Sequence, residues 1–152
     1  MNRDMKHAYR WQVAALGVAA MLVSGCRASQ EAPLARSGPS QVEAIAGTAV
    51  SRVMLTEQAV KRLDIQTAAV RMEDIKGVRR SVVPYGAVIY DVEGEAWVYT
   101  NPTALTFVRA GIDVDSIEGD LVVLSEGPPV GTLVVTVGGA ELYGAEFEFQ
   151  EA

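Results

Sequence analysis

SVVPYGAVIYDVEGEAWVYTNPTALTFVRAGIDVDSIEGDLVVLSEGPPVGTLVVTVGGAELYG, running from Ser81 to Gly144, is the stretch whose pattern decides the fold. Its apolar residues alternate instead of recurring every three or four positions. Val108, Ala110, Ile112 and Val114 fall on one face, and Arg109, Asp113 and Asp115 on the other. A period of two marks a half-buried β-strand. Glu93-Gly94, Glu118-Gly119 and Gly127-Pro128-Pro129 interrupt the pattern at the intervals of a small β-module, supplying positive or fixed φ where the chain reverses. The expected fold is mainly β: a small antiparallel β-barrel, SH3-like, with one or two short helices. Val135 is expected to point inward together with Leu133 and Val137. A helix is expected near Ala140 to Tyr143.

The order of short motifs in this stretch resembles a known family. Val83-Pro84 is followed by an Ala-Val-Ile strand, a turn, a Trp-Val-Tyr strand and a Phe-x-x-Arg strand. A Gly-Asp hairpin, a Gly-x-x-x-Gly turn, Val-Val and Gly138 to Leu142 complete the order. This succession is similar to the membrane-proximal end of periplasmic adaptor subunits, or membrane fusion proteins, of resistance–nodulation–division (RND) efflux pumps. VMLTEQAVKRLDIQTAAV, upstream, resembles the strand–helix–strand lead-in of the adaptor β-barrel. The resemblance implies a non-enzymatic module that docks on the periplasmic part of a pump or on a full-length adaptor. The family also carries a lipoyl-like sandwich and usually an α-helical hairpin, and neither is legible here. Reaching an outer-membrane channel is therefore not expected of this chain alone.

Residues 1–25 read as an export signal. Arg3, Lys6 and Arg10 make a positive start, and Val13 to Val23 is an unbroken apolar or glycine core. Its 11 residues are too few to span a bilayer, which takes about 20, but suit a signal sequence. Leu22-Val23-Ser24-Gly25-Cys26 resembles a bacterial lipobox, with cleavage expected between Gly25 and Cys26. Cys26 is the one cysteine of the chain. An exported protein with a single cysteine has no internal disulfide partner, which leaves lipidation, an intermolecular bridge or a free thiol. The signal directly before it selects lipidation, so the expected location is the periplasmic side of the cell envelope, on either membrane.

Residues 26–47 are rich in Ala, Ser, Pro, Gly and charge without apolar periodicity, and read as a flexible tether. As a random coil it would span about 25 Å end to end. Residues 48–80 form the lead-in. Thr48 to Leu55 is a strand candidate, Thr56 an N-cap with Glu57 in the first turn, and Ala59, Val60 and Leu63 the apolar edge of a short helix. Ile65 to Val70 returns to strand character, and Met72 to Arg80 is a charged connection with a strand around Ile75. Residues 81–152 make up the adaptor-like β-domain.

The chain carries 13 basic and 19 acidic residues, net −6. Loss of the signal leaves 10 against 18, net −8. That excludes a basic footprint for nucleic acid and disfavours adsorption to an anionic leaflet. The only histidine, His7, lies in the signal, so the mature chain offers no imidazole base and no Cys–His pair. GGAELYG lacks the lysine and the spacing of a phosphate-binding loop. No enzyme activity and no cofactor are expected. Asp113, Asp115, Glu118 and Asp120 cluster, but Leu124 stands where a calcium loop needs its closing glutamate. A solvated hairpin end is the better reading, and no metal is expected. Met54 and Met72 read as packing rather than as soft metal ligands.

Tyr85, Tyr90, Trp97, Tyr99 and Phe107 concentrate aromatic mass in the centre of the chain. Alternation puts Trp97 and Tyr99 on one face, Ala96 and Val98 on the other. Core packing is the leading role, since a small barrel needs bulky residues to fill it. The competing role is a partner surface, for which Arg79, Arg80, Tyr85 and Trp97 are the contact candidates. The alternative to pump docking is a free-standing envelope lipoprotein that has kept such a fold and acts as a binding or structural accessory.

Overall fold

The computed structural model describes residues 38–148. The expected signal, with Gly25 and Cys26, and most of the segment expected to be a tether lie outside the described residues. Eleven strands and two helices follow in order: β1 (Ser40–Ala44), β2 (Ser51–Leu55), α1 (Glu57–Arg62), β3 (Gln66–Ala69), β4 (Arg71–Ile75) and β5 (Val78–Pro84) come first. A 3-10 turn (Tyr85–Ala87) leads to β6 (Ile89–Tyr90), β7 (Ala96–Thr103), β8 (Thr106–Gly111), β9 (Asp113–Glu118), β10 (Leu121–Glu126), β11 (Leu133–Val137) and α2 (Gly139–Glu148).

Among the described residues the protein is mainly β with two short helices, as its alternation requires, but its antiparallel sheets do not close into a barrel. One sheet runs β1-β2-β8-β7-β11-β3, with β6 added beside β7; the other runs β4-β5-β10-β9. The chain passes between them repeatedly, and two of the passages need a single residue. Val70 separates β3 from β4, Ile112 separates β8 from β9, and both are buried in the core between the sheets. The alternating run from Val108 to Val114 is thus two strands in two sheets. The carboxylate face at Asp113 and Asp115 becomes solvent-exposed, while Arg109 is buried.

Two cores result. Val83, Val122 and Leu124 of the smaller sheet meet Val98 and Val134 of the larger one. On the far side of the larger sheet, Val53, Leu55, Tyr99, Phe107 and Val135 pack against Ala59 of α1 and Leu142 of α2. The centre of the larger sheet is therefore covered on both faces. Neighbours Val98 and Tyr99 are both fully buried, as are Val134 and Val135 within about a hundredth of their surface. A strand covered on both sides reads as a continuous apolar run rather than an alternating one. This corrects the expectation for β11: Val134 is buried beside Val135, whereas Leu133 and Val137 are 42% and 40% exposed. A register shift between Val135 and Val137 helps turn the strand end outward.

Part of the segment expected to be a tether, Ser40 to Ala44, is a strand. Ser40 to Ala44 pair in register with Leu55 to Ser51, Val42 packs against the helix-side core, and Glu43 reaches Arg52 at 3.0 Å. Backbone pairing supplies what this polar segment lacks in apolar residues. Residues 45–50 form the turn, closed by Thr48 Oγ1 donating to Ile45 O at 3.0 Å. Thr56 caps α1 as expected, accepting from the Ala59 backbone N–H at 3.1 Å.

Gly138, with φ +89, turns the chain from β11 into α2. A Cβ there would lie 2.1 Å from Ile65 Cδ1. Gly131, with φ +92, has open space around it. Gly131→Ala is expected to cost about 1 kcal/mol through φ alone. Gly138→Ala should cost a further 1–3 kcal/mol, roughly, through overpacking. Urea unfolding of both variants checks this, and equal losses at the two sites would refute the close approach.

Candidate functional site

The helix-side core holds one buried polar constellation, and it is built by long-range register. In β7 and β8, Tyr99 and Arg109 are cross-strand partners and share a face. On α2, Tyr143, Glu146 and Phe147 sit at helical spacing and face that pair. Glu146 is fully buried. Its Oε2 accepts from Tyr99 Oη at 2.5 Å, and its Oε1 from the Ser51 backbone N–H at 3.1 Å. Arg109 Nε stands 3.4 Å from Glu146 Oε2, near enough for charge attraction, yet makes no hydrogen bond.

The Arg109 guanidinium is held by rings instead. Its central carbon lies 4.2 Å from the Trp97 ring centre, 5.1 Å from that of Phe147 and 5.7 Å from that of Tyr143. Cation–π attraction in a desolvated cage compensates part of the missing hydrogen bonding. Burial pushes the Tyr99 phenol well above its usual range, and the bond to Glu146 adds to that shift. Tyr99 therefore remains a donor at every physiological pH. The constellation ties α2 to β2, β7 and β8, and its polar members Tyr99, Arg109 and Glu146 are all buried, so it acts as a fastening.

Neither Arg109 nor Glu146 stood out as a site residue in the sequence, although signals were present. Arg109 is the only basic residue from Ser81 onward, against 12 acidic ones. A lone cation inside a β-run, and a glutamate set among aromatics in YGAEFE, are each anomalies that burial explains.

Trp97 connects this fastening to the surface. Its Nε1 donates to Asp91 Oδ2 at 2.9 Å, and Asp91 Oδ1 accepts from the backbone N–H groups of Glu93 and Glu95 at 3.0 and 2.9 Å. Desolvation works to raise the Asp91 pKa. The bonds from Trp97, Glu95, Glu93 and Gly94 outweigh it, so the carboxyl is held below its ordinary value. A depressed folded-state pKa gives stability that is present above the unfolded value and lost as pH falls through the folded one. Asp91→Asn is accordingly expected to lower the melting temperature at neutral pH, with the gap closing below about pH 4. A gap independent of pH would assign the effect to geometry rather than to charge.

The four partner-contact candidates are placed differently. Tyr85 and Arg79 are exposed. Arg80 is held by Asp115 at 3.0 Å, and Trp97 is half-buried between Asp91 and Arg109. The acidic residues of β9 and its turn are dispersed along an edge: Asp115 faces Arg80, and Glu118 takes Lys76 at 2.7 Å. Among the described residues no group of three or more histidine, cysteine, aspartate or glutamate side chains could hold a metal ion. Charges along β9 are what a sheet edge uses to prevent pairing with another chain. Met54 and Met72 lie in different sheets and are half-buried. A recess of about 490 Å³ lies along the loop from Leu124 to Val130 with Ser81, and Glu126 is the one acidic residue of its lining.

No family model, curated protein or solved structure matches the chain. Among the described residues, no helix is long and apolar enough to cross a membrane.

Proposed function

We propose that this protein is a lipid-anchored, adaptor-like accessory of an RND efflux system that docks on the periplasmic part of the pump or on a full-length adaptor. The motif order from Val83 to Leu142 supports the family reading. The observation that carries the docking role is Tyr85. It is 52% exposed, yet sits on a firm mount. Its backbone N–H donates to Asp120 O at 2.8 Å, and Gly86 beside it lies so close to Thr136 O that a Cβ would meet that oxygen at 3.0 Å. An exposed aromatic on a fixed backbone loses little entropy on binding and makes a good interface anchor. A lipid on Cys26 and a tether would raise the local concentration, so a modest contact area suffices.

Tyr85→Ala is expected to leave stability within about 0.5 kcal/mol, as for other exposed positions. It should also reduce in-cell crosslinking from positions 79–84 to pump or adaptor peptides. Deletion of the gene should raise sensitivity to toxic compounds. If crosslinks from these positions reach only unrelated envelope proteins and efflux is unchanged, the free-standing accessory lipoprotein replaces this reading.

A further inference from the structure

The β6–β7 hairpin has a property that neither core needs. Its turn, Asp91 to Glu95, is fastened by five hydrogen bonds. Asp91 N donates to Glu95 O, and Gly94 N to Asp91 O, each at 3.1 Å. The Asp91 carboxylate takes the N–H groups of Glu93 and Glu95 and the Trp97 indole. Through Trp97 the turn is braced against Arg109, which is buried and cation–π stacked on that ring. Yet the tip contributes nothing to the interior: Val92 is 94% exposed, Tyr90 is 51% exposed, and Glu93, Gly94 and Glu95 are all exposed.

We propose that the Tyr90–Glu95 hairpin is a preorganised prong for a protein partner that offers an apolar recess bordered by lysine or arginine. Val92 enters the recess, Tyr90 covers its rim, and Glu93 and Glu95 face the basic side chains. A turn already held in one conformation loses little freedom on binding, and so converts more of its contact into affinity. Charge complementarity selects the partner. No exposed basic residue occurs from Ser81 to the end of the described chain, because Arg109, the only one, is buried. A matching acidic surface is therefore repelled. An anionic bilayer is repelled as well, since Glu93 and Glu95 flank the apolar tip. The inference rests on the docking role proposed above, but not on the partner being a pump.

The test uses the full-length protein in cells, with a benzophenone amino acid replacing Tyr90 so that Val92 and both glutamates remain. Crosslinked peptides are identified by mass spectrometry. The expected adducts lie on one partner protein, on peptides carrying lysine or arginine next to apolar residues. Val92→Asp, and separately Glu93→Lys with Glu95→Lys, should each lower the adduct yield at least tenfold while leaving the circular dichroism spectrum and melting curve in place. Asp91→Ala leaves the tip chemistry alone and loosens its mount, and should lower the yield several-fold. Adducts with lipid, adducts with a second copy of this chain, no adduct at all, or yields indifferent to the tip variants would each overturn the prong. Pump or adaptor adducts from position 85 with none from position 90 would leave the docking role standing without the prong. Partner adducts from position 90 on a protein unconnected with efflux would keep the prong and remove the pump.

Discussion

Glu146→Ala is expected to cost the domain about 3–5 kcal/mol, the range for breaking a buried ion pair by removing one partner. Three groups lose their counterpart at once. Tyr99 Oη and the Ser51 backbone N–H lose a carboxylate acceptor, and Arg109 loses the carboxylate that stands 3.4 Å from its Nε. A guanidinium keeps its charge in proteins, so the buried cation stays uncompensated apart from its rings. Against a typical total stability of about 5–15 kcal/mol, such a loss is a large fraction. Urea unfolding with circular dichroism measures it. The double variant Glu146→Leu with Arg109→Met should be less destabilised than Glu146→Ala alone, because the unpaired cation is gone. A loss below about 1 kcal/mol for Glu146→Ala would mean that α2 is held by its apolar contacts, not by this fastening.

Val135→Asp is expected to abolish cooperative folding at ordinary temperatures, with a loss above about 4 kcal/mol. Val135 lies in the helix-side core with Tyr99, Phe107 and Leu142, and the buried cation among the described residues, Arg109, already faces Glu146. Burying an unpaired charge in such a place is among the costliest single changes. Val134→Asp should be equally severe from the other face, where Val98, Val122 and Leu124 surround it. Leu133→Asp, on the same strand and 42% exposed, should be nearly neutral. A scan of the three positions by thermal melting gives the order. Tolerance at Val134 with intolerance at Val135 would mean that only one face of the larger sheet is packed.

The two scans rest on different kinds of information, and the sequence carries only part of it. Period-two alternation from Ser81 to Gly144 was enough for a mainly β protein, because side chains on a strand alternate faces whatever the strand pairs with. Glu93-Gly94 and Glu118-Gly119 were enough for reversals, and their glycines do adopt positive φ, +87 and +63. Thr56 and Glu57 announced α1, since an N-cap acts within one turn of its own helix. The placement of Trp97 and Tyr99 opposite Ala96 and Val98 was legible for the same local reason: Tyr99 packs with the helix-side core, Val98 and Ala96 with the core between the sheets.

What tertiary structure decided is everything that depends on which surfaces meet. Alternation assigns a residue to a face but cannot say that both faces will be covered, and so Leu133 and Val137, expected inward with Val135, are instead 42% and 40% exposed while Val134 is buried. It cannot show that a run such as Val108 to Val114 leaves one sheet for another at Ile112. Ser40 to Ala44 read as tether because the segment's stability comes from pairing with β2, not from its own composition. The pairing of Arg109 with Glu146 joins residues 37 apart, on a strand and on a helix. Nothing local requires it. Each alone looks like a solvated charge, and only the docking of α2 onto β7 and β8, which removes both from water together, makes each the condition for burying the other.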